Sequence, residues 1–156
     1  MAAPAQQSMA FVDVPSDLFG TLTVPEEAVL EFPGGIYGFE DCRHFIMVEA
    51  QLPGFFWLQC TERASLLFLL TDPFSHVETY EVEMDLASEQ QLGGADPDDV
   101  TVLAIVTLPR NAQEEATMNL QGPLAVNMAT RRARQLVLAD DRWGCRHPLA
   151  MEPFTA

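Results

Sequence analysis

Residues 117–138 read TMNLQGPLAVNMATRRARQLVL. Met118 and Leu120 share one parity, with Thr117 and Asn119 on the other. After Gln121-Gly122-Pro123, Leu124 and Val126 take one face and Ala125 and Asn127 the other. A polar loop over 130–133 leads into Gln135-Leu136-Val137-Leu138. Period-two alternation broken by a Gly-Pro step and by a polar loop is the pattern of paired antiparallel strands. Asn119 and Asn127 stand among apolar strand residues. A buried amide needs partners for its donors and its acceptor, so both are expected to tie strand ends or a loop to the backbone. Gly122, Pro123 and Gln135 complete this expected structural hairpin.

The rest of the chain carries the same signals. Leu18, Gly20, Leu22 and Val24 alternate with Phe19, Thr21 and Thr23, which predicts a first strand with a bulge at Gly20. Pro25-Glu26-Glu27 predicts a turn, and residues 28–32 a second strand. Pro33-Gly34-Gly35, with Gly38 close behind, predicts an exposed turn of unusual φ values. Residues 43–49 read as a strand. The runs 55–58, 66–70 and 102–106 are apolar on both parities, so they are expected to be covered on both faces or to lie in a closed or rolled sheet. Tyr80, Val82 and Met84 alternate with Thr79, Glu81 and Glu83, which predicts a strand with one acidic face. Asp85 and Gly93 bracket the one helix signal, over 85–92. Asp96-Pro97-Asp98-Asp99 predicts one further helical turn. A strand over 100–108, an exposed loop over 110–116 and a tail over 142–156 complete the chain. The expected fold class is mainly β: a compact antiparallel β-barrel or rolled sheet with eight or nine strands and one or two short helices. The expected boundaries are a disordered start over 1–10, one β domain over 11–149 and a C-terminal tail over 150–156.

The chain has 156 residues, 48% hydrophobic and 20% charged, enough to bury a core without disulfides or metal. The opening residues show no basic region with a sustained apolar run, so no secretory signal is expected. No apolar run approaches the roughly 20 residues that span a bilayer. Cys42, Cys60 and Cys145 are scattered, with no C-x-x-C, which supports neither a disulfide framework nor a zinc site. A reducing cytoplasmic location is expected. Residues 1–130 carry 20 acids against 3 arginines, and residues 131–156 carry 5 arginines against 3 acids, with no lysine anywhere. Such a surface repels phosphate backbones and attracts basic proteins, so direct nucleic-acid binding is disfavoured. Solubility alone is the plainer reading of the same charge.

No G-x-S-x-G, H-E-x-x-H or Walker A pattern is present. Cys42 and His44 are two apart, which in a strand puts them on one face, but no third orienting group accompanies them. Asp140-Asp141 reads as a solvated turn before it reads as a metal pair. Trp143 and Phe154 are expected to cover a barrel end. No cofactor is expected and no enzymatic constellation converges.

The run NLQGPLAVN, the basic loop and RQLVL resemble the core motif of the FliW family of flagellar assembly factors. FPGGIYGFED at 32–41, FFWLQC at 55–60, LLFLLTDP at 66–73, AIVTLP at 104–109 and RHPL at 146–149 agree in order. The resemblance covers about 22–149. It departs at Ala133, where the family usually has glycine before the x-Gln-hydrophobic run, and a positive φ there would strain alanine. The resemblance implies a rolled β fold and a cytoplasmic regulatory protein. It implies two partners, flagellin and CsrA, a small basic RNA-binding repressor of flagellin translation. The acidic residues expected to meet the basic partner are Glu78, Glu81 and Glu83, with Glu114 and Glu115 on the later loop. A flagellin-only chaperone and a small-molecule-binding barrel are the alternatives. Oligomeric state is not fixed by the residues.

Overall fold

The doubly apolar strands are the ones that close into a barrel. The computed structural model describes residues 10–94 and 96–150. Among these residues eleven strands run in chain order: β1 Phe11–Ser16, β2 Gly20–Pro25, β3 Leu30–Glu31, β4 His44–Glu49, β5 Phe55–Cys60, β6 Leu67–Thr71, β7 Val100–Thr107, β8 Ala116–Met118, β9 Leu124–Asn127, β10 Arg132–Gln135 and β11 His147–Leu149. One α-helix, α1, spans Leu86–Leu92, and single 3-10 turns span Glu26–Ala28 and Pro73–Ser75. Strands β7-β6-β5-β4-β3-β10-β9 are neighbours in that order, and β9 pairs back onto β7, which closes a seven-stranded barrel. All pairings are antiparallel except the short parallel contact of β10 with β3 at Arg132 and Glu31.

Alternation along the barrel strands divides the core in two. Leu30, Phe45, Leu58, Leu70, Leu103, Leu124, Val126 and Ala133 form one buried cluster, contributed by all seven barrel strands, and so fill the barrel. Their neighbours of opposite parity, such as Leu69, Ala104, Val106 and Ala125, belong to a second cluster. That outer cluster is covered by Leu92 of α1, by Tyr80 and by Trp143 and Leu149 near the C-terminus. Both faces of β6, β9 and the middle of β7 are therefore covered, which is why these stretches lack a polar parity.

The stretch 117–138 pairs differently from a simple hairpin. Val106 faces Met118 and Leu103 faces Leu124, so three steps along β7 match six along the partner. Strands β8 and β9 are thus one strand laid along β7 and interrupted by an excursion over 119–123. The only hairpin in the stretch is β9 with β10, through a loop over 128–131. The expected final segment, 135–138, continues β10: Leu136 N–H donates to the Pro123 carbonyl and Leu138 N–H to the Gln121 carbonyl, both at 2.8 Å. Positive φ falls on Arg131, at 63°, and Ala133 sits buried in β10 opposite Val126. Alanine at that position therefore meets ordinary strand geometry.

Other expectations are corrected. Residues 79–84 keep the expected alternation, with Tyr80 buried and Glu81 and Glu83 exposed, but form no strand. Alternation reports which way side chains face, and a strand also needs a backbone partner. This segment lies over the outer core through Val82 and Met84 and delivers the chain to α1. The first strand is instead the hairpin β1–β2, with Gly20 (φ 76°) at its turn in place of a bulge. Its earlier strand, FVDVPS, was hidden by a mid-strand proline, tolerable because β1 is an edge. Residues 96–99 make the single helical turn expected there, too short to be a helix: Asp96 caps it, its Oδ1 accepting from Asp98 N–H and its carbonyl from Asp99 and Val100 N–H. The C-terminal segment contains β11, paired with β8. Of the expected disordered start over 1–10, residues 1–9 lie outside the described residues, while the Ala10 carbonyl accepts from Glu26 N–H at 2.9 Å; the expected role of Phe154 also lies outside them. No helix among the described residues is long and apolar enough to cross a membrane.

Candidate partner-binding site

An amide relay holds the site together. Gly122 N–H donates to Asn119 Oδ1 at 2.8 Å, and the Gly122 carbonyl accepts from Gln135 Nε2 at 3.0 Å. Gln135 Oε1 accepts in turn from Tyr37 N–H at 2.9 Å. A Cβ at Gly122 would stand 3.0 Å from Gln135 Nε2, so glycine leaves room for the relay. Asn127 serves the other end of the hairpin. Its Oδ1 accepts from Ala129 and Thr130 N–H, and its Nδ2 donates to the Gly94 carbonyl. The turn carrying Tyr37 needs glycine at 35, where φ is 69° and a Cβ would lie 2.6 Å from Glu40 Cα. Tyr37, fixed through its backbone, is left 64% exposed.

Across from this turn, the segment 81–85 and residues 134–140 line a cleft of about 470 Å³. Glu81, Glu83, Asp85 and Asp140 contribute carboxylates, Arg134 a guanidinium, and Tyr37, Met84, Val137 and Leu138 apolar surface. Asp85 is the N-cap of α1: its carboxylate accepts from the Ser88 hydroxyl and N–H, which hold its pKa below the ordinary carboxylate value. Asp140 is held low by hydrogen bonds from Arg142, and Arg142 is correspondingly raised. Arg142 lies 2.6 Å from Asp140, 3.9 Å from Glu81, and over the Trp143 ring at 5.0 Å. Trp143 packs edge-on against Tyr80 at 5.1 Å, and the Tyr80 hydroxyl donates to the Leu120 carbonyl at 2.7 Å. The cleft wall is thus anchored to the excursion that follows β8.

Glu81 and Glu83 come together on this cleft. Glu78 is exposed in the turn before it. Glu114 is paired with Arg110 at 3.3 Å, and Glu115 is exposed beside it. No hydrogen bond or ion pair among the described residues joins that loop to the cleft. The Cys–His reading is corrected: Cys42 lies before β4 in the barrel core, while His44 faces Glu62 at 3.5 Å. Burial pushes the Cys42 thiol up to about 11, aided by Cys60, which is the wrong direction for a nucleophile. Asp140 is engaged by Arg142, and the described residues contain no cluster of three or more potential metal ligands. Tyr37, Arg134 and Val137 were missed as cleft residues. Val137, 64% exposed between buried Leu136 and Leu138, was legible from alternation, whereas Tyr37 is brought to the cleft by its long-range bond to Gln135.

The family model described as "FliW protein" matches residues 13–149. The flagellar assembly factor FliW of Moorella thermoacetica is 35% identical over 145 residues, covering 92% of this chain and 92% of that protein. The flagellar assembly factor FliW of Treponema denticola is 31% identical over 141 residues, covering 90% and 95%. A solved crystal structure of the flagellar assembly factor FliW superposes with a TM-score of 0.80 at 28% identity, over 91% of this chain and 99% of that one.

Proposed function

Because the chain belongs to the FliW family of flagellar assembly factors, we propose that it works by exchange between two protein partners and catalyses no reaction. One partner is flagellin. The other is a basic, CsrA-type RNA-binding regulator that represses flagellin translation. Flagellin in excess occupies the protein and leaves the regulator free to repress. Export of flagellin frees the protein, which then sequesters the regulator. The exchange takes place in the cytoplasm without direct nucleic-acid contact.

The observation that carries this reading is the acidic cleft on a chain whose family likeness runs from end to end of the barrel. Four lining carboxylates against the guanidiniums of Arg134 and the adjacent Arg142 leave a net negative field that would steer a basic protein. Glu81 and Glu83 are the proposed contacts, with Glu78 beside them and Glu114 and Glu115 as a separate, weaker candidate. Replacing Glu81 and Glu83 together by lysine should slow association with the purified regulator, and the slowing should shrink as salt screens the field. Association rates equal to wild type at low salt would remove this face from the proposal.

A further inference from the structure

Two stretches of unpaired backbone face the same cleft. Leu136 and Leu138 send their N–H groups to Pro123 and Gln121. In an extended chain successive amides point to opposite edges, so the N–H groups of Val137 and Ala139 point the other way. That edge lines the cleft, and neither amide has a hydrogen-bond partner among the described residues. The opposite wall, residues 81–84, alternates in exposure without forming a strand, and its amides likewise have no partner among the described residues. β10 itself is covered on this side only at Arg132, by β3. The gap therefore begins where β3 ends.

The geometry points to strand addition in this cleft: an extended, basic segment of a partner protein pairs its main chain with residues 137–139 and sets its cations against Glu81, Glu83 and Asp85. Charge selects this occupant. Carboxylates line both walls, and Arg142 already neutralises Asp140. The alternate side chains of the segment would rest on Met84 and Val137. Main-chain pairing supplies affinity and side-chain pockets supply preference, the usual division of labour in strand addition. The inference rests on the reading that the acidic face receives the basic partner, and adds the backbone mode of binding.

The probe is a short, labelled peptide of alternating lysine and valine, read by fluorescence anisotropy against the full chain. Three comparisons accompany it: the same peptide N-methylated at alternate residues, the protein variant Val137→Pro, and the protein variant Glu81→Gln/Glu83→Gln. Val137 is exposed at an unpaired edge, so proline there removes the donor without opening the core. Circular dichroism checks that each variant is folded. Strand addition predicts that N-methylation and Val137→Pro each weaken binding on the order of tenfold, the equivalent of one or two lost hydrogen bonds. It also predicts that hydrogen exchange at Val137 and Ala139 is fast in the free protein and slowed by peptide. If both backbone changes leave binding intact while the glutamine variant weakens it, strand addition is overturned and the acidic-face reading survives. If the peptide does not bind, or none of the changes matters, both fail. Slow exchange at Val137 and Ala139 without peptide would show the edge already covered by the chain itself, and would also overturn the inference.

Discussion

Asn127 illustrates how a single side chain can hold a loop. Its amide accepts two N–H groups of the 128–131 loop and donates to Gly94, just beyond α1. Leucine at 127 would fill a similar volume but leave those groups without their partner. Replacement of Asn127 by leucine is expected to lower stability by about 1–3 kcal/mol, measured by urea unfolding. Undiminished stability together with lost partner binding would make this an interface residue instead. Asn119 is half-buried and makes one such bond, so the same change there should cost less. At Ala133 the expectation of strain came from treating the family's glycine as a conformational need. The left-handed residue is Arg131, two positions earlier, and the buried Ala133 is accommodated by the barrel interior.

Among the elements, α1 was the most legible and depends on pH in a defined sense. Asp85 caps it through Ser88, and Gly93 ends it with φ at 77°. The lowered pKa of Asp85 comes first from the Ser88 hydroxyl. A carboxylate whose pKa is lower in the folded state stabilises fully above its unfolded value, here 3.8, and loses that contribution as pH falls through the lower native value. Acidification through that range should fray the start of α1, seen as faster amide exchange at Ser88 and Glu89 relative to the barrel strands. Asp85→Asn preserves the cap acceptor and should make this fraying insensitive to pH; equal pH dependence in both proteins would place its origin elsewhere. Capping signals are local, which is why α1 could be read from sequence. Pairing is not local. The alternation at 79–84 and at 117–120 gave correct facings, yet the first has no ladder and the second joins β7 rather than its nearest neighbour. Strand β1 was lost behind Pro15, and β11 behind the short run of three residues that forms it. The cleft was half legible: Glu81 and Glu83 stood out as charge, while Tyr37 and Arg134 reach it only through long-range packing.

At the scale of the whole molecule, a barrel filled by its own side chains and a second core outside it leave function to the surface. Buried Phe45, Leu58, Leu70 and Leu124 occupy the space where a small-molecule-binding barrel would hold its ligand. The chain carries a formal charge of −15, and the cleft concentrates carboxylates beside apolar side chains and unpaired backbone. Such a face suits a basic protein partner, and exchange between two partners requires that their complexes be mutually exclusive. The most direct test mixes purified protein, CsrA-type regulator and labelled flagellin leader RNA, and then adds flagellin. The account predicts that the protein releases RNA from the regulator and that flagellin restores the regulator–RNA complex. Regulator–RNA binding that is unchanged at every ratio of protein to regulator would contradict it, and would favour a chaperone of flagellin alone.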